Sequence, residues 1–292
     1  MKPAPFRYHR PETVEEALDL LAEYGGEAKP LAGGQSLVPA MNFRLAQPAV
    51  LVDLNRIPAL AGLDEVAGGL RLGGMTRQRV LEHSPVVARL APLVAETMPL
   101  VAHPPIRTRG TLGGSLAHAD PAAELPAVML ALGATIGVRS TAGARTIPAS
   151  EFFLGLFATG LGAGELVVDV TLPALATGSG WAIDEVSRRH GDFALAGAVA
   201  VVTLDGRGHV ARASIALVNL HDRAVRAAQA ERVITGEMPT AAAIRAAADA
   251  ASALDADPAS DLHASSAYRR HLAAVLVRRV LTRAVERASR PV

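Results

Sequence analysis

Two glycine pairs, each set in a short polar run, constrain this chain more than any other feature. They are Leu31-Ala-Gly-Gly-Gln-Ser-Leu-Val-Pro39 and Arg109-Gly-Thr-Leu-Gly-Gly-Ser-Leu-Ala-His-Ala-Asp-Pro-Ala-Ala-Glu-Leu-Pro126, about eighty residues apart. Paired glycines let the backbone approach a bulky group closely, and successive amide N–H groups can form a nest around anionic oxygens. In the first run a short strand over residues 29–32 leads through Gly33-Gly34-Gln35-Ser36 into an apolar stretch that begins a helix, an order suited to phosphate. The second run sets Gly113-Gly114 between the hydroxyls of Thr111 and Ser115 and adds two carboxylates, Asp120 and Glu124. An isolated Gly-Gly pair is ordinarily a tight turn and nothing more. Two such loops in one chain point to a ligand with two phosphates and polar sugar groups, such as a dinucleotide. Neither run fits G-x-G-x-x-G or G-x-x-x-x-G-K-[ST], so the mode of binding is neither Rossmann nor P-loop.

Composition removes several other classes of function. The 292 residues carry 29 basic and 28 acidic side chains, a net charge of +1, so no single-sign field attracts a polyanion and nucleic acid is not an expected partner. Lysine occurs only at Lys2 and Lys29, which makes Lys29 stand out beside the first glycine pair. With no cysteine, the chain offers no disulfide, no thiolate zinc site and no iron–sulfur ligand. The sequence shows no signal-peptide pattern and no run of about 20 uncharged apolar residues, so the expectation is a cytoplasmic protein without an integral membrane segment.

Periodicity sets out the elements. Val14, Ala17, Leu18 and Leu21 predict a first helix, stopped by Gly25-Gly26. Residues 50–54 read as a buried strand, and residues 70–76 repeat the order strand, glycine pair, helix start. A helical pattern runs over residues 76–98. Residues 103–115 are expected to be a long ordered loop, because Pro104 and Pro105 break a helix and three glycines loosen the backbone. Residues 126–132 are helical, and 134–139 and 165–172 are strands. Residues 176–180 have linker composition and divide the chain into domains of 1–177 and 178–292. Beyond them, residues 181–187, 193–204 and 209–220 read as strands, the last two joined by the hairpin signal Asp205-Gly-Arg-Gly208, and three helical stretches (224–235, 240–254, 264–288) follow. A three-stranded antiparallel sheet covered by helices fits this order.

Three strings give the chain a family likeness: Ala32-Gly-Gly-Gln-Ser-Leu37, Ile106-Arg-Thr-Arg-Gly-Thr-Leu-Gly-Gly-Ser-Leu-Ala-His-Ala-Asp-Pro-Ala-Ala-Glu-Leu-Pro126 and Arg188-Arg-His-Gly-Asp-Phe-Ala194. In order and separation they resemble the flavin subunits of the molybdenum hydroxylases, the family of carbon monoxide dehydrogenase and xanthine dehydrogenase. The resemblance implies an α+β fold: an N-terminal FAD-binding domain of two α/β subdomains, about residues 1–55 and 56–177, and a C-terminal domain with a three-stranded antiparallel sheet covered by helices. It implies FAD extended between the subdomains. Carried onto this chain, Lys29, Ala32, Gly33, Gly34, Gln35, Ser36 and Leu37 on one side and Thr111, Gly113, Gly114 and Ser115 on the other would embrace the pyrophosphate and the neighbouring ribityl and ribose groups. Glu124 falls at an acidic position near the adenosine end, Val101 and Leu161 at apolar positions close to the cofactor, and Phe193 beside the isoalloxazine ring. Where some relatives have a lysine approaching that ring, this chain has Asp184 and Glu185.

The family further implies that the chain works inside a dimer of heterotrimers, with a large subunit holding the molybdenum cofactor and a small subunit holding two [2Fe–2S] clusters, and that FAD here passes their electrons to an external acceptor. No catalytic acid or base and no metal ligand is assigned to this chain. His118 and Asp120 make at most half of a metal site, and no G-x-S-x-G elbow identifies a nucleophile. Two rival readings are a self-sufficient flavin oxidase, which needs a substrate pocket with a general base, and a redox-inactive nucleotide-binding assembly module. Valine at Gly33, Gly34, Gly113 and Gly114 is expected to abolish FAD binding by filling phosphate space while leaving much of the fold.

Overall fold

The computed structural model describes residues 2–290. Its first helix, Val14–Tyr24, forms where the apolar spacing predicts it and buries Val14, Ala17, Leu18 and Leu21. Thr13 caps it by accepting from the amide of Glu16, and Gly25, at φ 50°, ends it in a conformation that costs other residues more. The helix packs on a parallel three-stranded sheet in the order Arg7–His9, Val50–Asp53, Ala28–Leu31. The central strand is buried along its whole length, which explains its unbroken apolar sequence.

A five-stranded antiparallel sheet follows, in the order Leu63–Val66, Gly69–Gly73, Leu166–Pro173, Thr135–Ser140, Gly143–Pro148. Between its second and third strands in sequence the chain is helical, and here two expectations change. The helical pattern over residues 76–98 is not one helix but three, Gln78–His83, Pro85–Leu90 and Pro92–Thr97. Pro85 and Pro92 cannot continue a helix and each starts a new one, with the Ser84 hydroxyl accepting from the amide of Val87. Residues 103–115 are not a loop: Pro104–Arg109 and Leu112–His118 are short helices separated by Gly110. Pro104 and Pro105 occupy the first turn, where no amide hydrogen bond is required, so they open this helix and do not break it. The helix Glu124–Leu132 is buried at every residue and centres the main hydrophobic cluster. Each of its Leu and Val side chains contributes on the order of 2 kcal/mol by burial.

The C-terminal part is built on the antiparallel strands Ser179–Val186, Ala196–Leu204 and Val210–Val218, the last two joined through a turn in which the Gly208 amide donates to the Asp205 carbonyl (3.0 Å). A two-residue edge strand, Val225–Arg226, makes the sheet four-stranded, one more than the sequence pattern discloses. Ala228–Ile234, Ala241–Ala250 and Ser266–Ala288 are helices, and the last lies along the strands Ser179–Val186 and Ala196–Leu204. Strand alternation gives Ser179–Val186 two faces. Ala182 joins the cluster under the long helix, whereas Trp181 and Ile183 join the cluster around Glu124–Leu132. Across that junction the Trp181 indole donates to Glu96 (3.2 Å) and Arg287 donates to the same carboxylate (2.6 Å). The fold is therefore α+β, as the element order and the resemblance imply.

Candidate cofactor-binding site

The first glycine turn leaves the end of the strand Ala28–Leu31 and enters the helix Leu37–Asn42. Gly34 takes φ 74°, the left-handed conformation that disfavours a side chain. No acceptor of the described chain takes the amides of Gly33, Gly34, Gln35, Ser36 or Leu37. Gly33 is buried, so its unpaired N–H is costly unless a ligand uses it. Ser36 precedes the helix without capping it, which leaves its exposed hydroxyl free as well. Five adjacent donors at a glycine turn, with a hydroxyl beside them, fit the diphosphate of a dinucleotide.

The second turn meets the first. A Cβ at Gly33 would lie 2.4 Å from the Arg109 carbonyl oxygen and 2.8 Å from the Gly110 Cα, and one at Gly114 would lie 3.3 Å from the Ala32 Cβ. Its amides, however, are taken. Leu112 donates to Thr76 (3.0 Å), Gly113 to Gly74 (2.7 Å), Gly114 to the Thr111 hydroxyl (3.1 Å) and Ser115 to the Thr111 carbonyl (3.2 Å). The second turn thus backs the first and offers few free amides of its own. Valine at Gly33 or Gly113 would strike protein backbone, Arg109 in one case and the Gly74 oxygen at 2.8 Å in the other, and not ligand space. These glycines are there so that two backbones can touch.

Residues that sequence reasoning missed hold the two turns together. Asn55 donates to the Ala32 carbonyl (2.9 Å), and Arg77 donates to the Asn55 amide oxygen (2.5 Å) and to the Arg109 carbonyl. Burial and the nearby charge of Arg109 lower the Arg77 pKa from its ordinary value. Arg107, 5% exposed, makes a two-pronged pair with Glu82 (2.8 and 2.9 Å) and donates to the carbonyl of Val101 (2.9 Å). A further glycine pair, Gly73-Gly74, was the available signal: Gly74 accepts from Gly113, and Arg77 follows three residues later.

The other expected positions are spread more widely. Lys29 is exposed on its strand, Val101 is buried in the main cluster and Leu161 packs at that cluster's edge. Phe193 is 72% exposed in the turn after Ser179–Val186, where Gly191 lies so close to the His103 imidazole that a Cβ would overlap it. Glu124 sits at the start of its helix, 7% exposed. Burial, with the charge of Asp120 beside it, pushes its pKa up to about 7. Burial also pushes Glu185 up to about 8, helped by the charges of Glu124 and Asp184. The two carboxyls that the sequence separates by 61 residues are therefore electrostatic neighbours.

Comparison with known proteins gives this geometry a context. Residues 4–175 match the FAD binding domain in molybdopterin dehydrogenase, and residues 181–284 match the CO dehydrogenase flavoprotein C-terminal domain. The chain is 44% identical over 288 residues to the 6-hydroxypseudooxynicotine dehydrogenase complex subunit alpha of Paenarthrobacter nicotinovorans, covering 99% of this chain and 97% of that one. It is 41% identical over 289 residues to the carbon monoxide dehydrogenase medium chain of Hydrogenophaga pseudoflava, covering 99% and 100%. A solved structure of carbon monoxide dehydrogenase from Hydrogenophaga pseudoflava superimposes with a TM-score of 0.96 at 43% identity, over 98% of this chain and 99% of that one. Quinoline 2-oxidoreductase from Pseudomonas putida 86 gives 0.94 at 38%, over 99% and 100%.

Proposed function

Because this chain belongs to the FAD-binding medium subunits of the molybdenum hydroxylases, and so is an oxidoreductase flavoprotein subunit, we propose that it receives electrons from an iron–sulfur subunit and passes them to an external acceptor. The observation that carries this reading is the run of free amides from Gly33 to Leu37, backed by a second turn whose own bonds are complete. When bound, FAD supplies electron transfer in single or paired steps, with potential and access set by the protein. The residues of this chain bind and position. The amides of residues 33–37 and the Ser36 hydroxyl would hold the diphosphate, while Asn55 and Arg77 fix the turn that presents them. Val101 and Leu161 would supply apolar contact, Phe193 a flat wall for the ring, and Lys29 the one cation of the strand Ala28–Leu31. No side chain need act as acid or base.

The subunit arrangement we propose is a dimer of heterotrimers with a molybdenum-cofactor large subunit and a [2Fe–2S] small subunit, in the cytoplasm. Among the described residues no helix is long and apolar enough to cross a membrane. Support for partners comes from exposed apolar side chains: Leu45 at 84%, Phe43 at 64% and Leu156 at 62% exposed are costly on a free surface. We take the two domains to meet near residue 177.

The test is direct. The purified chain should bind one FAD and absorb at about 450 nm by the flavin's own chemistry. Mixed with its reduced iron–sulfur partner in a stopped-flow spectrometer, that band should bleach, and the isolated chain should not bleach with any substrate of the complex. Bleaching of the isolated chain by substrate would favour a self-sufficient oxidase. A colourless chain that cannot be reconstituted would leave only the assembly module.

A further inference from the structure

The turn between the strands Ser179–Val186 and Ala196–Leu204 carries the exposed Phe193 next to Ala194, which is buried in the main cluster. Bonds within the turn give it its shape. Leu195 donates to the Val186 carbonyl (2.7 Å), the Ser187 hydroxyl (2.8 Å) and the Asp192 amide (3.0 Å) both donate to the Arg189 carbonyl, and Arg188 reaches Asp192 at 3.5 Å. None of these ties the turn to the N-terminal part of the chain, but two other contacts do. The Asn219 side chain donates to the Ala194 carbonyl (2.6 Å), while the Asn219 amide donates to the Pro121 carbonyl (2.8 Å). On the other side of Phe193, Gly191 takes φ 86° and lies so near His103 that a Cβ would stand 2.2 Å from the imidazole Cε1.

His103 and Pro121 bracket a single segment. It contains the helix Pro104–Arg109, the second glycine turn and the helix Leu112–His118, and its Arg109 and Gly110 are the residues against which Gly33 rests. The turn that carries Phe193 is therefore fastened to both ends of the segment that backs the free amides of residues 33–37. Asn219 suits this place chemically. It follows directly on the strand Val210–Val218 at φ 52°, a left-handed conformation that asparagine adopts more readily than most residues with a side chain. Its half-buried amide must turn the NH2 group toward Ala194, because a carbonyl oxygen can only accept. One residue thus bonds two carbonyls from opposite sides of the domain boundary.

We propose that Asn219 is a positioning residue for the flavin: by holding the Ala194 carbonyl to the segment 103–121, it fixes where Phe193 stands as a wall for the ring. This rests on the reading that the isoalloxazine lies beside Phe193. An exposed phenylalanine on a turn secured only at its own base samples many positions, and a ligand that needs one of them must order the turn on binding, at a cost in affinity. A turn fastened beforehand spares that cost. The same pin sets the distance between the ring wall and the phosphate turn, because both are mounted on one segment.

Asn219→Gly is the informative variant, because glycine keeps the backbone conformation and the amide bonded to Pro121 and removes only the donor to Ala194. In the full chain without FAD, tryptic cleavage after Arg188 and Arg189, both exposed beside the turn, should quicken about fivefold, the factor one ordinary hydrogen bond represents, with cleavage elsewhere unchanged. FAD affinity, measured by titration, should fall about fivefold as well. Iodide quenching of the bound flavin's fluorescence, which reads access to the ring, should rise. In Phe193→Ala both flavin quantities should move the same way, and adding Asn219→Gly should move neither further, since a residue that acts through Phe193 then has nothing left to position. Additive losses in the double variant, or faster cleavage along the whole chain, would make Asn219 purely structural and overturn the proposal. Native affinity and native quenching in Phe193→Ala would remove Phe193 from the ring, and a native chain that binds no FAD would remove the cofactor reading. Either takes the proposal with it while the cleavage result stands, so the failures are told apart.

Discussion

At the turn after the strand Ala28–Leu31, five consecutive amides find no acceptor in the described chain, whereas at the turn before the helix Leu112–His118 four consecutive amides are each bonded to protein. In sequence the two turns look alike, a glycine pair with hydroxyls alongside. The difference lies in what surrounds them. The second turn is wedged between Gly74, Thr76 and the first turn, and its own Thr111 satisfies Gly114. At the first turn the carbonyls are held, that of Ala32 by Asn55 (2.9 Å), that of Gly33 by the Gln35 side chain (3.2 Å) and that of Gly34 by the Val38 amide (3.1 Å), while the amides are left open. Glycine thus serves two purposes here: Gly34, at φ 74°, gives the first turn a conformation that leaves its donors open to a ligand, whereas Gly33 and Gly113 let backbone lie against backbone.

If the second turn is scaffold, breaking it should cost stability first and FAD binding only as a consequence. The largest effect is expected from Arg107→Ala. It leaves Glu82 without its two-pronged partner and releases the Val101 carbonyl, and loss of one member of a buried pair typically costs about 3–5 kcal/mol. Burial of Glu82 is incomplete, with 14% of its side chain exposed, so the lower end applies. Chemical denaturation of the variant and native chains without FAD measures this directly. An unchanged midpoint together with lost FAD binding would assign Arg107 to the ligand and erase the distinction between the turns.

Much of this division was legible only in part. The strand, glycine pair and helix order around Gly33-Gly34 is written locally, and so is the stop at Gly25. The clamp is not. Arg77 reaches partners 22 and 32 residues away, and nothing in the periodicity around Arg77 marks such contacts. Pro104 and Pro105 misled for a different reason: a proline forbids a helix interior yet suits its first turn, and composition alone does not say which position it holds. The edge strand Val225–Arg226 is too short for any alternation to show. Nor does sequence separation reveal that the helix Glu124–Leu132 packs on the strands Ala196–Leu204 and Val210–Val218, because that junction exists only once the two parts of the chain dock.

A smaller effect, of opposite kind, should follow from Gly34→Ala. At φ 74° an alanine is strained by about 1–2 kcal/mol, and its Cβ would meet Val38 and Leu31 side chains at 3.2 and 3.3 Å. The turn is expected to relax by rotating its amides away from their common focus. FAD affinity should then fall by at least the roughly tenfold that 1.4 kcal/mol represents, while the melting temperature drops only by a few degrees. Calorimetric titration with FAD beside a thermal melt separates the two quantities. A large loss of stability with native affinity would place Gly34 with the scaffold glycines.

The smallest effect tests the comparison most sharply. The Ser36 hydroxyl is exposed, caps nothing and accepts no hydrogen bond from the described chain, so Ser36→Ala should leave stability within about 0.5 kcal/mol of native. If that hydroxyl donates to the diphosphate, FAD binding should weaken by about 1 kcal/mol, the usual worth of one hydrogen bond. Thr111→Val is its counterpart at the other turn. There the hydroxyl already accepts from Gly114 (3.1 Å), so its removal should lower stability by about 1 kcal/mol as a lost helix cap and change FAD affinity less than Ser36→Ala does. The reverse ranking in FAD titrations of the two variants would show that the second turn, and not the first, holds the phosphates, because the Thr111 hydroxyl belongs to a residue only 2% exposed whereas Ser36 is open to solvent.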